Sequence, residues 1–251
     1  MLFFLHACSA EQREAKEPKE KADVILHTDL GAIQLKLFDE TPRHKANFIK
    51  LAKEGFFDSL SFHRIIYEFM IQSGDPRFKN GEIDQEQASG PGYELEPEFK
   101  EEFVHVRGML GAAREGDEEN PERRSAGSQF YIVTGKTVKA AVLDTMETVG
   151  TAFRKGLYYT HFREALDSGR FEGSFSDYLT AKNFKEYSYS FEQKQLYLQE
   201  GGAPHLDFTY TLFGKVISGM DVVMAISKIP TDSYEIPKDT IRILSTEVLS
   251  P

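Results

Sequence analysis

From Val24 onward apolar side chains fall on alternate positions: Val24 and Leu26, then, past a turn at Gly31, Ile33, Leu35 and Leu37, with polar residues largely between them. A period of two puts one face of an extended strand against a core and the other toward water. The chain therefore opens on a β-hairpin. Thr41-Pro42 is a helix start, and Ala46, Phe48, Ile49, Leu51 and Ala52 supply an amphipathic stripe closed by Gly55. Further strand-like runs are 61–66, 69–72, 130–133, 211–216 and 240–248, separated by Gly- and Pro-rich turns, and a second short helix is predicted over 221–226. Many strands with two helices predict a mainly β domain, a closed β-barrel with helical lids.

Between Gly135 and His205 the pattern changes. Val142, Met146, Val149 and Phe153 form a helical stripe, and Phe175 to Leu179 and Tyr187 to Leu198 also read as helical. The segment from Lys136 to Pro204 holds 12 of the chain's 20 Phe and 11 Tyr residues, a density foreign to a flexible linker. The barrel domain thus covers 22–251 and is interrupted by a folded, mainly helical insertion at 136–204. Its helical stripe and dense aromatics make it either an interaction surface or a cover for the barrel wall.

Forty acidic side chains against 30 basic ones leave a net charge of −10, which argues against a nucleic-acid backbone as partner. The one cysteine, Cys8, rules out an internal disulfide and a cysteine-cluster metal site. The only strongly apolar stretch is Met1 to Leu5, far below the ~20 residues of a spanning helix. Leu5-His6-Ala7-Cys8 nevertheless resembles a bacterial lipobox, with a leucine three positions before the cysteine and a small residue just before it. The apolar stretch is shorter than the roughly 7 to 15 residues of a signal peptide core, so 1–21 reads as a truncated signal and a charged tether. Ser9 to Lys21 would span about 20 Å root-mean-square. The resemblance implies lipidation at Cys8 and a bacterial envelope location, periplasmic and lipid-anchored, with the membrane met only through that anchor.

Phe62-His63-Arg64-Ile65-Ile66-Tyr67-Glu68-Phe69-Met70-Ile71-Gln72-Ser73-Gly74-Asp75 would, as a strand pair, set Arg64 and Gln72 on one face among apolar anchors. The segment resembles the central signature of the cyclophilins, which are peptidyl-prolyl isomerases. Three more segments resemble that family in the right order. Gly108-Met109-Leu110-Gly111-Ala112-Ala113-Arg114 is similar to its Gly-x-Leu-x-Met-Ala stretch, and Gly127-Ser128-Gln129-Phe130-Tyr131-Ile132 to its Gly-Ser-Gln-Phe-Phe-Ile motif. His205-Leu206-Asp207, with 213–223, is similar to its closing barrel segment. The likeness covers about 22–135 and 205–248, and implies a closed, eight-stranded antiparallel barrel capped by two helices.

It also implies rotation about X-Pro amides, whose barrier is about 18 to 20 kcal/mol. The reaction needs no nucleophile, metal or cofactor. As the amide twists, the prolyl nitrogen loses resonance and becomes basic, so a fixed donor aimed at it binds the twisted state better than the planar one. Arg64 is the candidate donor. By the resemblance, Phe69, Met70, Tyr131 and Leu206 form an apolar cup for the proline ring, and Gln72 orients Arg64 and the substrate backbone. Ala113, Arg114 and Gln129 would line the neighbouring groove.

Three positions depart from the family. Arg114 stands where many members have Asn, His205 where Trp is usual, and Tyr210 where His is usual, which changes groove charge and the far wall of the pocket. His63, a single histidine without partners at ligand spacing, reads as a packed residue, and 117–124 as a solvated loop. The expected partners are proline-containing unfolded or flexible protein segments, met by a monomer. The rival reading is a proline-binding chaperone module with little catalysis, which would not require a positioned guanidinium.

Overall fold

The computed structural model describes residues 20–249; Cys8 and most of the tether lie outside them. Val24–Thr28 (β1) and Gly31–Leu37 (β2) pair antiparallel with Val24 opposite Leu35 and Thr28 opposite Gly31. Their alternate apolar residues are all buried. Gly31, at φ +135°, makes the turn, and a Cβ there would sit 2.9 Å from a Val222 methyl.

Six further strands complete the main sheet: Arg64–Ile66 (β3), Met70–Ser73 (β4), Met109–Ala112 (β5), Phe130–Val133 (β6), Leu212–Ser218 (β7) and Ile243–Val248 (β8). All pairings are antiparallel, in the order β8-β1-β2-β7-β5-β6-β4-β3. The expected closed barrel is corrected here, because the edge strands β3 and β8 share no ladder and the sheet curls as a half-barrel. Their approaches meet at an isolated bridge between Ser61 and Arg242, flanked by Phe62 N–H donating to the Ile241 carbonyl (2.9 Å), Ile243 N–H to that of Leu60 (2.8 Å) and Ser59 N–H to that of Ile243 (2.7 Å). The physical reason is the shortness of β3. Its chain has already turned toward β4 at His63, whose N–H donates to the Gln72 carbonyl, and closure needs a stagger that three residues cannot supply.

The two expected helices flank this sheet. Pro42–Lys53 (α1) packs on β8 and β7, sinking Phe48 and Leu51 into the core beside Phe57 and Phe130.

Three helices lie between β6 and β7: Ala140–Asp167 (α2), Phe175–Ala181 (α3) and Phe191–Gln199 (α4); Met220–Ile226 (α5) follows β7 and covers β2. The α2 stripe is turned from the expected one. Val142 and Val149 are exposed, while Leu143 and Gly150 are buried, with Met146 and Phe153 beside them. Apolar periodicity does not register glycine, yet Gly150 is the inner position where the Tyr187 ring sits; a Cβ there would lie 2.5 Å from that ring. Tyr187 and Tyr189 are likewise not helical. They belong to an extended stretch in which alternate residues point inward, and α4 starts only after Ser190, whose hydroxyl and Gln193 form a capping box.

The roots of 136–204 are woven into the wall of the half-barrel. Val106 bridges to Gly202, Arg107 N–H donates to the Gly201 carbonyl (2.9 Å), and Ala203 N–H to that of His105 (2.8 Å). Val104 and Phe208 of the wall form one buried cluster with Leu143, Tyr187, Tyr189 and Tyr197. A separate cluster, Phe162, Ala165 and Tyr178, holds the distal end of the segment together.

Candidate functional site

Strand register assembles the site. Arg64 lies opposite Gln72, Gln72 opposite Tyr131, and Tyr131 opposite Gly111, so one row of side chains crosses four strands on the face away from the core. Adjacent positions Ile65, Ile71, Ile132 and Leu110 turn inward into the core cluster. Gly111 is what lets Tyr131 lie flat over β5, since any side chain there would overlap the tyrosine ring.

Over this row opens a cleft of about 630 Å³. The structure brings together Arg64, Phe69, Met70, Gln72, Ala113, Arg114, Gln129, Tyr131, Leu206 and Tyr210 around it. Met70, Tyr131 and Leu206 are buried with Phe69 and Tyr210 packed against them in one apolar cluster. His205 is the exception. It is exposed, does not line the cleft, and lies behind Phe69 with ring centroids 5.1 Å apart. The short 3₁₀ turn Pro204–Leu206 buries Leu206 and leaves His205 exposed beside Phe69.

Arg64 is half exposed, and its Nε donates to Glu235 Oε2 at 2.6 Å. Glu235 also accepts Ile65 N–H at its carbonyl (2.9 Å), from a loop in which it takes a left-handed φ of +66° and Asp232 caps the N–H groups of Tyr234 and Ile236. The two terminal guanidinium nitrogens take no acceptor among the described residues. Gln72, expected to orient Arg64 and the substrate backbone, makes no hydrogen bond to Arg64. Gln72 Nε2 donates instead to Gln129 Oε1 (2.9 Å), and Gln129 Nε2 to the Ser89 carbonyl (3.0 Å). Holding the arginine thus falls to Glu235, a residue 171 positions away whose local sequence carries no signal for the role.

Arg114 does not put a free charge into the groove. Its side chain is 5% exposed, with Nε donating to the Thr209 carbonyl (2.9 Å), Nη1 to that of Glu115 (2.8 Å) and Nη2 paired with Asp117 (2.8 Å). The guanidinium stacks 4.4 Å over Tyr210, whose ring meets Tyr131 edge-on, so the three make the far wall. A further wall, missed from sequence, is the Gly-rich stretch Ser89-Gly90 with Gly92, Tyr93 and Glu94; Tyr93 is tied back by its hydroxyl to Asn47 (2.6 Å). Burial, with Tyr210 and Asp207 adding to it, pushes the Tyr131 phenol well above its ordinary value, so it stays protonated. His63 is stacked on Phe78 and burial pulls it down to about 4; it packs as a neutral ring. Among the described residues no three His, Cys, Asp or Glu side chains gather as metal ligands.

An apolar cup with a partly free guanidinium on its rim can hold a small saturated ring and offer a charged donor to the atoms attached to it. The comparisons agree with that chemistry. The family described as cyclophilin type peptidyl-prolyl cis-trans isomerase/CLD matches residues 23–156 and 179–248. A putative bifunctional phosphatase/peptidyl-prolyl cis-trans isomerase of Streptococcus pyogenes is 32% identical over 228 residues, covering 90% of this chain, which spans 38% of that protein's length. A putative peptidyl-prolyl cis-trans isomerase of Staphylococcus saprophyticus is 27% identical over 233 residues, 90% of this chain and 91% of its own. In fold, the chain is similar to the crystal structure of a cyclophilin type peptidyl-prolyl cis-trans isomerase of Cryptosporidium parvum, with a TM-score of 0.55 at 22% identity over 91% of this chain and 97% of that one. On the family match over most of its length, the chain belongs to the cyclophilin-type peptidyl-prolyl cis-trans isomerases.

Proposed function

We propose that this chain is an active isomerase that rotates X-Pro amides in unfolded or flexible protein segments and so assists their folding. The observation that carries the reading is the Arg64 guanidinium, fixed at Nε and without an acceptor among the described residues at its other nitrogens, on the rim of a cup made by Phe69, Met70, Tyr131 and Leu206. Reaching about 10 to 1000 turnovers per second from an uncatalysed step of tens to hundreds of seconds takes roughly 4 to 7 kcal/mol of preferential transition-state binding. A charge-assisted hydrogen bond to the pyramidal prolyl nitrogen supplies about 1.5 to 3 kcal/mol. Holding the ring in the cup while the preceding carbonyl swings supplies the remainder. Gln72 and Gln129 offer amide groups to the substrate backbone beside it, and Ala113 leaves room for the residue that precedes proline. Turnover of a short proline peptide by the unmodified protein, without added metal or nucleotide, tests the reading; no rate above the uncatalysed one would end it.

Glu235 acts through Arg64. Glu235→Ala is expected to lower kcat about threefold to tenfold, the value of one hydrogen bond, and to leave KM within twofold, because the cup still holds the ring. Glu235→Gln keeps an acceptor for Nε and should recover most of the loss. Unchanged kcat in a folded Glu235→Ala protein would remove the role.

In this reading 136–204 is an insertion in the barrel, 1–21 is a tether, and the protein works as a monomer, since one chain builds the whole cleft. It is anchored in a bacterial envelope by lipid on Cys8, which Leu5-His6-Ala7-Cys8 supports. Mass spectrometry of protein from its native membranes should find a mature chain starting at acylated Cys8. A soluble, unacylated chain retaining Met1 would dismiss the anchor.

A further inference from the structure

Behind Tyr131, away from the cleft, lies a run of buried polar groups that amide rotation as described does not use. His105 and Asp207 are buried to 1% and 2% exposure, and Tyr197 is wholly enclosed. Asp207 Oδ1 accepts the His105 backbone N–H (2.9 Å) and faces His105 Nδ1 at 2.7 Å, while its Oδ2 accepts the hydroxyls of Tyr189 and Tyr197, each at 2.7 Å. His105 Nε2 lies 2.9 Å from the Tyr131 hydroxyl. Asp207 accepts at both oxygens, so His105 turns its Nδ1–H toward the carboxylate, and Nε2 and the Tyr131 hydroxyl share the remaining hydrogen bond of the run.

The carboxylate therefore takes four donors, two from His105 and two from tyrosines that 136–204 brings in. Removing the tyrosine hydroxyls would leave Oδ2 buried without a partner, and the charge would draw on the His105 contacts that remain. We propose that His105, Asp207, Tyr189 and Tyr197 are positioning residues for the Tyr131 ring, so that the helical segment between β6 and β7 sets the geometry of the proline cup from outside the barrel. The proposal rests on the isomerase reading for its consequence, though not for its geometry.

Two measurements on the full chain test it. In nitrogen-15 spectra of histidine-labelled protein, His105 Nδ1 should carry a proton, and Tyr131→Phe should shift the Nε2 resonance. A bare Nδ1, or no response of Nε2 to Tyr131→Phe, overturns the proposal. In kinetics on a short proline peptide, Tyr189→Phe with Tyr197→Phe should raise KM about threefold to tenfold while kcat moves less than twofold, the scale of one or two lost hydrogen bonds. In a Tyr131→Phe background the same pair should change KM less than twofold, because the path to the cup runs through that hydroxyl. Equal penalties in the two backgrounds would show that the tyrosines serve stability alone. Should the double variant not fold, Tyr189→Phe alone is read the same way with a smaller shift. Absence of turnover in the unmodified protein would end the isomerase reading, and the histidine spectra would still decide this one.

Discussion

Arg64→Ala is expected to lower kcat/KM by about one to two decades on any proline peptide, the equivalent of the 1.5 to 3 kcal/mol that a charged donor contributes. The loss should fall on kcat. In the planar amide the prolyl nitrogen lone pair is delocalised and a poor acceptor, so the guanidinium gains its bond only as the amide twists, and only differential binding of that kind accelerates the step. The fold should survive. Arg64 sits on an edge strand, its side chain and that of Glu235 are 45% and 40% exposed, and the register with Gln72 is carried by backbone bonds. A melting temperature within a few degrees of the parent would confirm it. Arg64→Lys should recover little, because an ammonium on a flexible stem cannot hold Glu235 through one nitrogen and present others in a fixed plane. Protease-coupled or exchange-based measurement of cis–trans rates checks all three proteins. Full turnover by folded Arg64→Ala would sink the donor mechanism.

Replacing residues 136–204 with a short loop is expected to give no smaller enzyme, only a molten or unfolded chain. If the segment were merely a substrate surface, its removal would spare the barrel and affect long substrates alone. Its contacts say otherwise. Leu143, Tyr187, Tyr189 and Tyr197 close over Val104 and Phe208 in one buried cluster, and each such side chain stabilises by about 1.5 to 3 kcal/mol. Excision would also strip two hydroxyls from buried Asp207 and unpair the wall at Val106, Arg107 and His105. Against a domain stability of about 5 to 15 kcal/mol, losses of that size leave little. Replacing only 157–178, the stretch that the family match passes over, should be tolerated, since the distal cluster of Phe162, Ala165 and Tyr178 is separate from the wall cluster. Near-ultraviolet circular dichroism and thermal unfolding distinguish the two deletions. A cooperative transition in the full excision would mean that the segment is dispensable to the fold.

Much of this molecule is legible in one dimension because the physics behind it is local. Alternation through Val24, Leu26, Ile33, Leu35 and Leu37 demands a half-buried hairpin, Thr41-Pro42 a helix start, and four motifs in order a cyclophilin. Positions two apart on β4 share a face, so Met70 and Gln72 had to come to the cleft together. Where a side chain's neighbour is distant in sequence, no such rule applies. The Glu235 clamp on Arg64 and the retreat of Arg114 into a wall with Tyr210 and Thr209 depend on loops whose paths only packing decides, and so does the turning of α2 onto Gly150. The same holds for closure of the barrel, which failed because β3 is three residues long, a length set by where the chain must turn rather than by any residue preference. By itself the sequence determined the family, the order of the strands' faces and the identity of the cup. Tertiary structure alone decided what holds that cup in place, because a buried carboxylate, an imidazole and three phenols acquire meaning only when the fold removes water and leaves them one another as partners.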